Sequence, residues 1–126
     1  MSDFPSNKLP SATGSVLAKL MEVVEDRRKN PPEKSYTTTL FQGGTAKIGA
    51  KITEEAAEVV EAAGEPGEAG RKHLIYESAD LIYHLWVMLG FHGIPLAEVE
   101  AELARRFGLS GLDEKAARPP KDSAAE

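Results

Sequence analysis

The chain has 126 residues, enough for one domain with a real core and without room for two. Its 20 acidic residues outnumber its 15 Lys and Arg, and the resulting net charge of −5 argues against a general nucleic-acid binder, which needs a basic surface. Cysteine is absent, which removes disulfides, a thiol nucleophile and Cys-ligated zinc, and suits a reducing cytosol.

Residues 1–13 are rich in Pro, Ser and Asn and read as a flexible N-terminal segment, with no charged start and apolar run of a secretory leader. The first helix is predicted over residues 15–29. There Val16, Leu17, Leu20, Met21 and Val24 recur at helical spacing, and Asn30-Pro31-Pro32 stops the run. A polar connection, PPEKSYTTTLFQGG, follows, with Gly43-Gly44 marking a turn. The second helix is predicted over residues 45–63, ending at Gly64 and Pro66. The third covers residues 68–89 and ends near Gly90 and Gly93, and Pro95 opens a short fourth helix through Arg106, closed by Gly108. Residues 109–126 read as a second flexible tail. The longest apolar block, residues 81–91, is about half a membrane span and is interrupted by His84, so a buried helix is expected there and no membrane partner. No strand-like alternation or internal repeat is present. The predicted class is all-α, a four-helix bundle, with residues 14–108 as its one folded domain.

The second and third helices raise a question of charge. On a wheel advancing about 100° per residue with Glu55 at zero, Ile48, Ile52, Ala56, Val59 and Ala63 form an apolar stripe. Glu58 falls at about −60°, so Glu55 and Glu58 share one flank of that stripe, one turn apart. With Glu77 at zero, Leu74, Leu81, Leu85 and Met88 make the stripe of the third helix, and Asp80 again lands at about −60°. A Gly-Glu-Pro-Gly connection makes these helices antiparallel neighbours, which aims four carboxylates at one place beside the core. Partly desolvated carboxylates repel unless protons or cations compensate, and hard divalent cations with oxygen ligands, Mg²⁺ above all, are the natural partners. One E-x-x-E pair is commonplace on a solvated helix, and a non-catalytic oligomerisation module with an acidic face is the rival explanation. Two pairs of matching geometry on adjacent helices are a narrower pattern.

Neighbouring residues divide by position. Glu54 and Glu61 lie farther from the seam and are expected in solvent. His84 falls between Glu77 and Asp80 and reads as a hydrogen-bonded core histidine, while His73 and His92, near helix ends, read as structural. Lys47 and Lys51 either pair with the acids or meet phosphate, and spacing alone favours an i,i+4 pair of Lys51 with Glu55. No E-x-x-H motif supports a di-iron bundle, and neither phosphate-binding glycine loop is present.

The same residues carry a family resemblance. The stretch KSYTTTLFQGGTAKIGAKITEEAAEVVEAAGE, followed by YESADLIYHLWVMLGFHGIPLAEVEAELARR, is similar to the phosphoribosyl-ATP pyrophosphohydrolases of histidine biosynthesis. The likeness spans about residues 15–107 and rests on Ser35-Tyr36-Thr37, Lys47 with Lys51, the glutamates from Glu54 to Glu58, and the run from Glu77 to His84. That family sits within the wider all-α, MazG-like nucleotide pyrophosphohydrolase group. The resemblance implies a cytoplasmic enzyme, an intertwined dimer, and Mg²⁺-dependent hydrolysis of phosphoribosyl-ATP to phosphoribosyl-AMP and pyrophosphate. It puts Glu55, Glu58, Glu77 and Asp80 in the metal-ligand positions. On mechanistic grounds a carboxylate not fully occupied by metal, Glu55 or Glu58, is expected to accept the proton of the attacking water. The resemblance also turns Lys47 and Lys51 toward phosphates. Thr53 departs from the glycine expected before the paired glutamates. Many relatives are fused to a cyclohydrolase that uses cysteines, so a chain without cysteine is expected to be monofunctional. The alternative within the same group is a house-cleaning nucleoside triphosphate pyrophosphatase.

Overall fold

A computed structural model describes residues 15–107, which form four helices: α1 (Ser15–Lys29), α2 (Tyr36–Ala63), α3 (Gly67–Phe91) and α4 (Leu96–Arg106). No strand occurs among the described residues, so the all-α expectation is met. The expected flexible ends, residues 1–13 and 109–126, and the stop at Gly108 lie outside the described residues. Helices α1 to α3 build one compact unit and α4 belongs to another. Within α4, Glu102 grips Arg105 at 2.7 Å and Arg106 at 2.9 Å. No helix among the described residues is long and apolar enough to cross a membrane.

The first three helices share one aliphatic and aromatic core. Leu20, Met21 and Val24 of α1 pack with Leu40 and Ile48 of α2 and with Tyr83, Trp86 and Val87 of α3, all buried. Two contacts tie α1 along α3 in the same sense. The Trp86 indole N–H donates to the Leu17 carbonyl at 2.8 Å, and the Arg28 guanidinium donates to the Phe91 carbonyl at 2.6 Å while lying over the Phe91 ring. Gly90 permits the crossing between them, because a Cβ there would lie 2.7 Å from a Val24 methyl.

One expectation needs correction. Residues 36–43, read from sequence as a polar connection, are helical, and Ser35 caps them by accepting from the Thr38 amide at 3.2 Å. β-branched side chains lose rotamer freedom in a helix, which sets the three threonines slightly against one. Capping and burial outweigh that small bias: Thr37 is buried with its hydroxyl bonded to the Tyr83 hydroxyl, and Leu40 is fully buried. The predicted glycine turn does occur. Gly44 has φ 70° and ψ −164°, a conformation essentially reserved for glycine, and breaks α2 into two halves. A Cβ on Gly43 would run into the Lys47 side chain, so the fold is tight on both sides of the break.

The two halves of α2 meet α3 in opposite senses. In the first, Tyr36 sits beside His84 and Phe41 stacks on Phe91. In the second, Gly44, Gly49 and Glu55 approach Phe91, Met88 and Asp80 in turn. The chain therefore doubles back at Gly44, and residues 45–63 run antiparallel to α3 as the Gly-Glu-Pro-Gly connection predicts. That connection uses Gly67 at φ 73°, and Gly70 has no room for a side chain beside the Glu65 carbonyl. The observed bounds of α3 extend the prediction by a residue or two at each end, which is the usual fraying of such assignments.

Candidate metal and phosphate site

Antiparallel packing brings Glu55 of α2 against Glu77 and Asp80 of α3. One side-chain oxygen from each lies within 4.8 Å of the other two. Glu55 is 5% exposed and Glu77 7%, and one carboxylate oxygen on each has no hydrogen-bond partner. Buried carboxylate oxygens without donors are costly and rare in folded proteins. The electrostatics of the cluster are uneven. Burial pushes Glu55 up to about 7, helped by hydrogen bonding with Glu77 and repulsion from Asp80. Glu77 is held below its ordinary value, first by that hydrogen bond from Glu55, then by Glu58 and His73. Asp80 is raised by burial and by Glu77. With Glu55 raised and Glu77 lowered, a proton on Glu55 faces Glu77 in the place where a cation would satisfy both. The donor set fits a hard divalent cation, which takes carboxylate oxygens and keeps positions for water and phosphate.

Glu58 stands at the edge. It lies outside the three-oxygen set, is half-buried, and reaches Glu77, whose hydrogen bond raises the Glu58 carboxyl above its ordinary value. Of the four carboxylates expected at one place, three converge and the fourth hangs on through Glu77. Glu54 and Glu61 are exposed as expected.

The lysines differ from the spacing argument. Lys51 pairs with Glu54 at 3.2 Å, not with Glu55, because Glu55 has turned into the helix interface and Glu54 remains on the surface. Lys47 is exposed, with its stem folded over Gly43. Both lie on the half of α2 that carries Glu55, and Lys51 is one turn before it.

The histidines are informative. His84 is a core residue as expected, 1% exposed, with Nδ1 2.9 Å from the Asp80 carbonyl oxygen and Nε2 2.9 Å from the Tyr36 hydroxyl. His73, read from sequence as structural, touches the site: its Nε2 is 3.2 Å from Glu77 Oε2 and its Nδ1 2.9 Å from Glu65 Oε1. Those two carboxylates, Glu65 first, raise its pKa. Its i,i+4 spacing before Glu77 was a signal available in the sequence. Tyr36 is the other residue missed as a neighbour of the acids. Its contact with His84 spans 48 positions and arises only because α2 doubles back.

The fold and this site define a class: an all-α protein with a buried carboxylate cluster shared by two antiparallel helices and flanked by lysines. The model of the phosphoribosyl-ATP pyrophosphohydrolase family matches residues 17–107. The phosphoribosyl-ATP pyrophosphatase of Rhodopirellula baltica is 58% identical over 105 residues, covering 83% of this chain and 88% of the relative. The proteins of the same description from Dechloromonas aromatica and Rhizobium rhizogenes are 44% and 47% identical, covering 87% and 84% of this chain and 99% of each relative. The chain belongs to the phosphoribosyl-ATP pyrophosphohydrolase family.

Proposed function

We propose that this chain hydrolyses phosphoribosyl-ATP to phosphoribosyl-AMP and pyrophosphate, the second step of histidine biosynthesis, in the cytoplasm. The observation that carries the proposal is the pair of buried, partnerless oxygens on Glu55 and Glu77 facing Asp80, in a chain of this family. Glu55, Glu77 and Asp80 would hold Mg²⁺, with Glu58 completing the set at its exposed edge. Bound there, Mg²⁺ would polarise phosphoryl oxygens and neutralise the charge developing on the leaving pyrophosphate.

The protein's own groups have three tasks. Lys51 and Lys47 face the polyphosphate and fix its direction across the cluster. Glu55 or Glu58, whichever has an oxygen left uncommitted, accepts the proton of the attacking water. The water oxygen bonds to phosphorus as the bridging P–O bond between the α- and β-phosphates breaks, and pyrophosphate leaves with that electron pair. No group of the chain needs to form a covalent intermediate.

A dimer would cover apolar surface that the single chain leaves open. Val60 is 73% exposed, Ile75 56% and Tyr76 61%, all on the two helices that carry the acids. A second copy is the occupant the family resemblance implies.

The test is pyrophosphate release from phosphoribosyl-ATP with and without Mg²⁺. Strong preference for phosphoribosyl-ATP over deoxynucleoside triphosphates is expected, and the reverse preference would make the chain a house-cleaning pyrophosphatase. Glu58→Gln should abolish turnover with the helical fold retained. Near-normal turnover in that variant removes Glu58 from the machinery.

A further inference from the structure

The two carboxylate oxygens of Glu77 have different surroundings. Oε1 is buried without a hydrogen-bond partner, whereas Oε2 lies 3.2 Å from Nε2 of His73, one turn earlier on α3. Nδ1 of the same ring lies 2.9 Å from Oε1 of Glu65, in the connection that joins α2 to α3. One imidazole thus spans the distance from the connection to the acid cluster. The anchor at Glu65 is itself held. Its amide donates to the Ala62 carbonyl at 3.0 Å, and α3 starts so close that a Cβ on Gly70 would overlap the Glu65 carbonyl. Exposure falls along the series, from 42% for the Glu65 side chain through 36% for His73 to 9% for Glu77, so it leads from the surface to a buried ligand atom. Such a tether has a physical use. The last torsion of a glutamate is broad and nearly two-fold, so a carboxylate with no outer partner can turn either oxygen inward. A hydrogen bond to one oxygen settles which of them faces the cluster, and carboxylates that bind metals are commonly held in this way.

We propose that His73 is a positioning residue: anchored by Glu65, it holds Glu77 Oε2 on the outer side and so presents Oε1 to a divalent cation shared with Glu55 and Asp80. The role rests on the metal reading of the site given above. His73 acts through Glu77 alone, and Glu65 acts through His73.

Calorimetric titration of the metal-free protein with Mg²⁺ tests it, in wild type, His73→Ala, His73→Gln, Glu65→Ala and the double alanine variant. His73→Ala should weaken Mg²⁺ binding by about 10-fold or more, the usual loss when the outer partner of a metal ligand is removed. His73→Gln keeps an N–H within reach of Glu77 at i,i+4 and should recover most of that loss. Glu65→Ala should weaken binding by about 3–10-fold, as for one hydrogen bond with a charged partner. With His73 already replaced by alanine, the same change at Glu65 should weaken binding by less than about twofold, the mark of two residues acting in series. Additive losses overturn the proposal. Tighter Mg²⁺ binding in His73→Ala also overturns it, because that is the result if the imidazole only competes with the cation for Glu77.

Thermal melting of the same metal-free proteins separates positioning from folding. The His73 side chain is partly exposed, so its variants should melt close to wild type while their Mg²⁺ affinities differ. Should His73→Ala fail to fold, Glu65→Ala decides alone, and wild-type Mg²⁺ affinity in that variant overturns the proposal. A wild type with no saturable Mg²⁺ binding overturns the metal reading of the site and this role with it. Wild-type binding that His73→Ala leaves intact overturns the role of His73 alone.

Discussion

Replacing Glu55 with Gln should make the metal-free protein more stable at pH 8 and remove its response to Mg²⁺. The magnitude follows from the protonation of the buried pair. A carboxyl raised from 4.5 to about 7 in the folded state corresponds to about 3 kcal/mol once it is ionised. Glu77, held low by the same shared proton, returns part of this, so a net gain of about 1–2 kcal/mol is expected from the isosteric amide. Gln can also donate to the partnerless Glu77 oxygen, and its helix propensity matches that of Glu. For a unit of this size the gain is about 5–10 °C in Tm at fixed protein concentration.

The pH dependence has a definite sign. Between the unfolded value near 4.5 and about 7, the folded chain holds a proton on Glu55 that the unfolded chain releases. Stability of the wild type therefore falls as pH rises through that window and levels off above it. The advantage of Glu55→Gln should be absent near pH 4.5, grow up to pH 7 and stay constant beyond. Thermal melts from pH 5 to 8, with and without Mg²⁺, read both effects. In the wild type, Mg²⁺ at about 100 times its Kd should add about 2.7 kcal/mol, and in the variant little. A variant less stable than wild type at pH 8, or one that retains the full Mg²⁺ shift, would refute the reasoning.

Mg²⁺ should displace the proton shared by Glu55 and Glu77, so its binding should tighten as pH rises from 6 to 8. Calorimetry in buffers of different ionisation enthalpy should find up to about one proton released per ion at pH 6, and none released would contradict the shared proton. Gly44→Ala should cost about 1–3 kcal/mol in urea denaturation, because φ 70° with ψ −164° strains any residue with a Cβ. That variant should also lower kcat/KM by disturbing the packing of residues 45–63, which carry Glu55, against α3. Full stability would show that the reversal tolerates a side chain.

What could be read in the sequence was local. The helix ends marked by Pro31, Gly64 and Pro66 followed from punctuation, and the pairing of α2 with α3 followed from a four-residue connection. The acidic flanks were legible because a helix turns by a fixed angle per residue, which puts i and i+3 side by side whatever else surrounds them. The rest depended on contacts distant in sequence. Residues 36–43 form a helix because Leu40 is buried and Thr37 meets Tyr83 of α3, 46 positions away, and local propensity had no view of it. The Lys51 pairing went to Glu54 because only the folded state decides which of two adjacent glutamates faces inward. Glu58 missed the tight set for a related reason: the wheel orders residues around an axis but is silent on how far along the partner helix each one lands.

Those long-range contacts also explain why the site lies beside the core and not within it. A carboxylate pair fully enclosed by Leu40, Ile48 and Val87 would keep its proton at any working pH, and a cation could not reach it. On a surface flank the same pair would be screened and independently ionised, with no need of a cation. The observed place is intermediate: Glu55 and Glu77 are buried, Asp80 and Glu58 half-buried, and Lys51 lies at the rim. There a proton on Glu55 would be held weakly enough to exchange for a metal ion near neutral pH. Gly44, where α2 reverses, sets residues 45–63 antiparallel to α3 and so brings Glu55 against Glu77 and Asp80.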